Sequence, residues 1–188
     1  MARWEPDAEG RFRAAAMALF VERGYEQTTV ADIAGHAGLT ARTFFRYFSD
    51  KREVLFNGSE RLQLAMVDAL LNAPARATAI GAVADALDAS AVFLGDNRAF
   101  ARQRSAVVAA NAELHERELI KLATLSAALA EGLRSRGVGE PDASLAAEAG
   151  IAVFRVAFGL WVGKLERRSL GEIMHTLLGR LKVLASSK

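Results

Sequence analysis

The sequence predicts an all-α protein in which a small N-terminal three-helix domain with a helix-turn-helix precedes a larger helical domain. Apolar residues recur at helical spacing, and no stretch shows the alternation of a half-buried strand. The three prolines, Pro6, Pro74 and Pro141, stand where helices begin or end. Residues 28–53 combine helix caps, an apolar stripe and a turn glycine, the signals of a helix-turn-helix.

The predicted helices number about nine, each with its own apolar stripe. The first, at about 7–23, ends at Gly24, and its inward stripe is Phe12, Ala16, Leu19 and Phe20. The two motif helices begin after Thr29 and Thr40. The later helices span about 51–72, 76–94, 98–110, 113–136, 142–164 and 170–185.

The first motif helix has a clear start and a clear end. The Thr29 hydroxyl can cap its free N–H groups, and Asp32 stands three residues on, as in a capping box. Gly38 follows the helix and can adopt the left-handed conformation that a tight turn needs. The inward stripe of this helix is Val30, Ile33, Ala34 and Ala37.

The second motif helix is predicted to read DNA. Thr40 caps it, and Phe44 and Phe48, four residues apart, face inward. A recognition helix enters the major groove with its N-terminal residues against base edges. An amphipathic helical hairpin with solvated charges is the alternative. The residues left on the exposed sides are Ala41, Arg42, Thr43, Phe45, Arg46 and Tyr47.

These exposed side chains suit different parts of a DNA duplex. Arg42 can donate two hydrogen bonds to guanine O6 and N7, or reach a phosphate instead. Thr43 offers a hydroxyl to a base edge and a methyl to a thymine methyl. Arg46 and Tyr47 lie further along the helix, nearer the phosphates. Lys51 stands beside the N-terminus of the next helix, which attracts phosphate by itself.

The run from Phe12 to Phe56, and within it Leu19–Tyr25, Thr28–Ala34 and Thr43–Lys51, resembles the DNA-binding domain of TetR/AcrR-family regulators. The resemblance implies a homodimer that binds a palindromic operator in double-stranded DNA and usually represses. It also implies a small-molecule effector held in a divergent C-terminal helical domain. The corresponding domains are residues 1–50, for DNA binding, and 51–188, for effector binding and dimerisation.

By position in the family motif, Thr28 and Lys51 are expected to touch phosphates, Arg42 and Thr43 to read bases, and Tyr47 to bond the DNA backbone. The chain departs from the family at Phe45, where a tyrosine is common. Phe45 is therefore expected to contact a sugar-phosphate edge or a thymine methyl. The full predicted DNA-binding set is Thr28, Thr40, Arg42, Thr43, Phe45, Arg46, Tyr47 and Lys51.

Residues 149–163 are apolar almost all the way round, interrupted by Arg155. A membrane span needs ~20 apolar residues, and Glu148 and Arg155 fall inside that length, so no membrane segment is predicted. The last two helices, at about 142–164 and 170–185, are expected to form half of a homodimer interface. Burial within one chain is the alternative.

The predicted effector site rests on aromatic residues of the second domain, which are more often plain core. Arg155 must be paired, since it lies in an apolar run. Its partner is Glu148 on the same face, Glu113 or Glu116 across the dimer, or an acidic ligand. The candidate effector-binding residues are Phe93, Phe100, Phe154, Arg155, Phe158 and Trp161.

Composition narrows the function classes. The net charge of +2 at pH 7 excludes a polycation that coats nucleic acid, and no cysteine is available for disulfides or thiolate metal sites. The N-terminus lacks the apolar core of a signal peptide, so a cytoplasmic location is expected. The histidines share no metal-ligand spacing, and neither a metal nor a cofactor is predicted.

No phosphate loop or nucleophile elbow is present, so the chain is not predicted to be an enzyme. Two alternatives stay open. One is a helical enzyme with an unfamiliar site, which would leave residues 29–51 without a purpose. The other is a protein of this fold that acts through protein contacts without its own operator.

Overall fold

The computed structural model describes residues 7–95 and 97–186, and within them it confirms the predicted all-α class. Arg3 precedes the first helix, and the sequence predicts a frayed terminal residue there, with an arm for the minor groove as the alternative; it lies outside the described residues. The helices of the described part are α1 (Ala8–Arg23), α2 (Val30–His36), α3 (Ala41–Tyr47), α4 (Glu53–Phe56), α5 (Ser59–Leu71), α6 (Ala79–Leu94), α7 (Arg98–Ala109), α8 (Ala112–Ser135), α9 (Asp142–Trp161) and α10 (Leu170–Ser186).

One helix that was predicted to be continuous is interrupted. The expected helix at 51–72 is two helices, α4 and α5, separated at Asn57 and Gly58. Glycine disfavours a helix interior, and the Asn57 amide donates a hydrogen bond to the Glu9 carboxylate of α1 at 2.7 Å. The break between α4 and α5 therefore coincides with a hydrogen bond between residues 48 positions apart.

The chain divides into two compact units. The first runs to Gly58 and also takes in Gln103–Glu118, and the second takes in Ser59–Arg102 and the chain from Leu119 onward. This division differs from the boundary expected after residue 50. It keeps α4 with the first unit and adds to it the end of α7, the turn after it and the start of α8.

The first unit is built on the predicted stripe of α1. Phe12, Ala16, Leu19 and Phe20 are all buried. They meet the buried residues of α2, α3 and α4, which are Ile33, Ala34, Phe44, Val54, Leu55 and Phe56. Burial of this apolar surface holds the motif helices on α1.

The second unit has its core among α5, α6, α9, α10 and the later part of α8. α6 and α9 approach closely at Gly150, where a Cβ atom would clash with the Val83 side chain. The largest fully buried side chains of this core are Met66, Leu70, Leu87, Leu129, Leu133, Ile173 and Met174.

α9 is buried on one side and exposed on the other. In the described chain it is the one helix long and apolar enough, by length and composition, to cross a membrane. Core helices pass the same test, and Ile151, Phe154 and Trp161 of α9 lie in the core of the second unit. Apolar side chains on its other side are exposed, among them Leu145, Val156 and Leu160.

Candidate nucleic-acid interface

The start of α2 carries the reciprocal cap that the sequence predicts. The Thr29 hydroxyl accepts a hydrogen bond from the Asp32 N–H at 3.1 Å, and the Asp32 carboxylate accepts one from the Thr29 N–H at 2.9 Å. The Thr29 hydroxyl also donates to this carboxylate, at 2.6 Å. These hydrogen bonds from the side chain and backbone of Thr29 hold the pKa of Asp32 below its ordinary value.

The turn after α2 depends on Gly38, as predicted. Its φ is 66°, in the left-handed region, and the Leu39 N–H closes the turn on the Ala34 carbonyl at 2.9 Å. The Arg11 guanidinium of α1 donates a hydrogen bond to the Ala37 carbonyl at the same turn. Sequence reasoning missed Arg11, because nothing local to α1 indicates a partner 26 residues away.

The recognition-helix candidate, α3, is fixed from its inward side. The Thr40 hydroxyl accepts the Thr43 N–H at 3.1 Å, which confirms the predicted cap. Phe44 and Phe48 are buried, with ring centroids 5.1 Å apart. Phe12 of α1 meets Phe44 edge-on at a centroid distance of 5.2 Å. These contacts set the rotation of α3 and so decide which side chains face outward.

The outward side of α3 presents two arginines and two aromatic rings. Arg42 is exposed and has no hydrogen bond or ion pair to any described residue. Phe45 is 57% exposed although it is apolar. Arg46 lies over the Tyr47 ring and donates to its hydroxyl at 3.2 Å. An exposed, cationic and partly apolar helix surface of this kind suits a DNA groove.

Thr28 and Lys51, both expected at phosphates, are engaged inside the first unit. Thr28 is 1% exposed, and its hydroxyl donates to the Gly24 carbonyl at 2.8 Å. The Lys51 ammonium donates to the Tyr25 carbonyl at 2.8 Å and lies 4.0 Å from the centre of the Tyr25 ring. Burial of Tyr25, followed by the charge of Glu113, raises the pKa of its phenol to about 12.

Three arginines join α4 to residues 103–118 within the first unit. Arg52 pairs with Glu113 at 2.7 Å, and Arg117 pairs with Glu53 at 2.7 Å. Arg104 donates to the Leu55 carbonyl at 2.9 Å and lies over the Phe56 ring. We call these three arginines and their partners the arginine clamp. No local sequence pattern indicates this clamp, because its contacts join segments that are distant along the chain.

Asp50 supports the start of α4. Its carboxylate accepts the Arg52 N–H at 2.8 Å, the Glu53 N–H at 3.1 Å and the Arg52 guanidinium at 2.8 Å. Partial burial alone would raise the pKa of this carboxyl, but these hydrogen bonds from Arg52 and Glu53 outweigh it and hold the pKa below its ordinary value.

The aromatic candidates of the second unit are only partly brought together. Phe154, Phe158 and Trp161 form a cluster along α9, with centroids 6.1 and 5.8 Å apart in sequence order. Arg155 lies on the exposed side of the same helix, away from this cluster. Phe93 stacks under Arg61, and Phe100 is half-buried on α7. In residues 7–95 and 97–186 no acidic or histidine cluster has the arrangement of a metal site.

Comparison with known proteins gives matches of two kinds. Residues 12–57 match the family described as bacterial regulatory proteins, tetR family. A segment of 74 residues is 38% identical to the HTH-type transcriptional regulator TcmR of Streptomyces glaucescens and covers 39% of this chain. It spans 33% of that relative, so the chain matches about a third of its length.

Solved structures match over almost the whole chain. A TetR-family protein of Syntrophomonas wolfei is similar with a TM-score of 0.64 and 19% identity, over 96% of each chain. SmeT, the repressor of the multidrug efflux pump SmeDEF of Stenotrophomonas maltophilia, is similar with a TM-score of 0.57 and 20% identity, over 94% of this chain and 89% of that one. At these identities the likeness shows a shared fold.

Proposed function

We propose that the chain is a member of the tetR family of bacterial regulatory proteins, whose model matches residues 12–57, and that it acts as a homodimeric transcriptional repressor released from a palindromic operator by a small molecule. The observation that carries the proposal is the outward side of α3. Arg42, Phe45 and Arg46 are exposed there, while Phe44 and Phe48 hold the helix from within.

In the proposed complex α3 enters the major groove with its N-terminal turn against the bases. Arg42 reads a guanine, since its guanidinium is exposed and unengaged among the described residues. Thr43 lies beside it, although its hydroxyl is 2.9 Å from that of Thr40. Arg46 and Tyr47, one turn further along, contact phosphates.

Thr28 and Lys51 take a mainly structural role in this proposal. The buried Thr28 hydroxyl and the Lys51 ammonium both hold the segment between α1 and α2. Lys51 is half-buried, so its positive charge still adds to the potential that attracts a phosphate. Thr40 presents the N-terminus of α3, where free N–H groups attract phosphate as well.

The proposed dimer forms through α9 and α10. Leu145, Val156 and Leu160 of α9 are exposed apolar side chains, and so are Val183 and Leu184 of α10. An apolar surface of this kind marks an interaction site. A two-fold dimer presents two recognition helices, and these match half-sites about one DNA turn, ~34 Å, apart.

The proposed effector site lies in the second unit. In this proposal the protein acts in the cytoplasm, where the operator is. The aromatic cluster of Phe154, Phe158 and Trp161 supports an apolar or aromatic ligand there. Arg155 is not part of this site in the proposal, because it is exposed on the other side of α9. No cofactor, metal or membrane enters the proposed function.

The test is titration of the purified chain against its own upstream DNA and against random DNA of equal length, at two salt concentrations, followed by footprinting. A protected palindrome with matched half-sites supports the proposal and supplies an assay for effectors. Equal, weak and strongly salt-dependent binding to both DNAs contradicts an operator in the chain's own upstream DNA. That result favours the alternatives, a distant operator, a protein partner or an unrecognised enzyme site.

A further inference from the structure

We propose that a second copy of this chain docks antiparallel along the exposed face of α9, and that Glu148 of each copy pairs with Arg155 of the other. The inference rests on the proposed dimer and adds the register of its interface. It names the two charges that define this register and the residue, Ala152, that lies at its centre.

The exposed residues of α9 form a narrow apolar seam. Ala152, Val156 and Leu160 lie four positions apart, and Leu145 lies seven positions before Ala152, the spacing that brings side chains to one helix face. A Cβ atom at Gly159 would meet nothing within 4 Å, so the seam has open space there for another helix. The apolar members of this seam are Leu145, Ala152, Val156, Gly159 and Leu160.

Glu148 and Arg155 are charged residues on the same exposed face. They are seven positions apart, which places them on the same side of the seam, about 10 Å apart along the helix axis. Side chains of one helix pair at three or four positions, not seven. Among the described residues Arg155 has no hydrogen bond or ion pair, so no described residue of this chain pairs with it.

Glu148 is held in place from the inside. The Ser126 hydroxyl of α8, which is buried, donates a hydrogen bond to its Oε1 at 2.7 Å. Elsewhere in the described chain no other donor reaches this carboxylate. One oxygen is thus fixed, while the other is available to a partner from outside.

The symmetry of a homodimer converts this spacing into a complementary pair. A two-fold axis perpendicular to α9 near Ala152 brings the Glu148 position of one copy opposite the Arg155 position of the other. Each charge lies about 5 Å from this midpoint along the helix axis. Rotation about the two-fold axis keeps each charge on the same side of the seam. Parallel pairing would instead place like charges level with each other on opposite sides of the seam, so that neither meets a charge of opposite sign. The charges therefore select the antiparallel register.

The experiment measures the dimer dissociation constant of the full chain by sedimentation equilibrium. The two-fold axis repeats the contact between positions 148 and 155, so either Arg155→Glu or Glu148→Arg brings like charges together at both contacts. Each single variant is therefore expected to weaken the dimer at least about tenfold. The double variant Glu148→Arg/Arg155→Glu restores both pairs. An equimolar mixture of the two single variants is expected to form mixed dimers of about wild-type affinity, because both pairs are then complementary.

Matched controls separate the pair from other effects of substitution. Arg167→Glu makes the same change of charge on an exposed residue outside the seam, and is expected to leave the dissociation constant within about twofold. Glu148→Gln keeps an acceptor for Ser126 but removes the charge. Its dimer dissociation constant should therefore lie between those of wild type and Glu148→Arg. Far-UV circular dichroism checks that each variant keeps its helices.

Each outcome supports or overturns the inference. Weakened single variants with rescue in the double variant and in the mixture support it. Dimers of wild-type affinity in all variants overturn it, and if these dimers still protect a palindrome the proposed function stands. A wild-type chain that protects its operator as a monomer overturns both the register and the proposed dimer. Folded single variants that lose dimerisation without rescue also overturn the pairing.

Discussion

The Arg11 guanidinium donates a hydrogen bond to the Ala37 carbonyl and thereby ties α1 to the turn between α2 and α3. The same guanidinium limits what can replace Gly38, since a Cβ atom there would lie 2.9 Å from Arg11 Nη2. The turn that leads into α3 is thus held by a residue of α1.

Gly38→Ala is expected to destabilise the fold by about 1–2 kcal/mol, because alanine disfavours the left-handed conformation at φ 66°. Arg11→Ala is expected to cost about 1 kcal/mol by removing the hydrogen bond to Ala37. Urea unfolding followed by circular dichroism measures both.

Because the new methyl group and the Arg11 guanidinium compete for the same space, the double variant should lose less stability than the sum of the single losses. Arg11→Lys keeps the charge and serves as the control. Full additivity would show that Arg11 and Gly38 are independent in solution.

Arg42→Ala is expected to weaken operator binding by about 1–3 kcal/mol and to change binding to random DNA much less, because a base contact carries sequence information. Arg46→Ala is expected to weaken binding to both DNAs and to lower the salt slope by about one, because it removes a phosphate contact. Fluorescence anisotropy over a range of salt concentrations measures both quantities.

Arg167→Ala removes a positive charge from the second unit and controls for the change of net charge. Equal losses on operator and random DNA for Arg42→Ala would assign Arg42 to a phosphate and contradict the base-reading role.

The parts of the interface that could be predicted are those with local signals. The caps at Thr29 and Thr40 and the left-handed Gly38 follow from residue type within a few positions. The inward rotation of α3 follows from Phe44 and Phe48, four residues apart. The break at Asn57 and Gly58 also had a local signal, the glycine, which the apolar periodicity around it concealed.

The parts that could not be predicted depend on contacts between distant residues. Lys51 has the residue type and position of a phosphate contact, yet its ammonium lies on Tyr25, 26 residues earlier. The arginine clamp joins Arg52 to Glu113, 61 positions apart. Helical periodicity identifies which face of a helix is apolar, but it does not identify which charged residue of another helix lies opposite.

Lys51→Ala is expected to lower the free energy of unfolding by about 1–2 kcal/mol, because it removes the hydrogen bond to the Tyr25 carbonyl and the contact with the Tyr25 ring. The measurement is urea unfolding without DNA. Lys51→Arg keeps a cation over the Tyr25 ring and should lose less stability than Lys51→Ala. Unchanged stability of Lys51→Ala would show that the ammonium is free in solution and return Lys51 to a phosphate contact.

Asp50→Asn is expected to destabilise the chain at pH 7 by about 0.5–1 kcal/mol, because asparagine still caps α4 but lacks the charge that favours a helix N-terminus and pairs with Arg52. The pKa of Asp50 is lower in the folded chain than in the unfolded one. Its ionised form therefore stabilises the fold above the unfolded pKa, about 3.9, and this contribution is lost as the pH falls through the folded pKa.

The difference in urea midpoint between wild type and Asp50→Asn should thus be full at pH 7 and shrink as the pH falls below about 4. Ser49→Ala, at the exposed neighbouring position, controls for general acid sensitivity and should follow wild type. A difference that stays constant down to acid unfolding would mean that Asp50 contributes through hydrogen-bond geometry alone. In that case asparagine fails as a cap, and the charge pair with Arg52 adds nothing to the stability of α4.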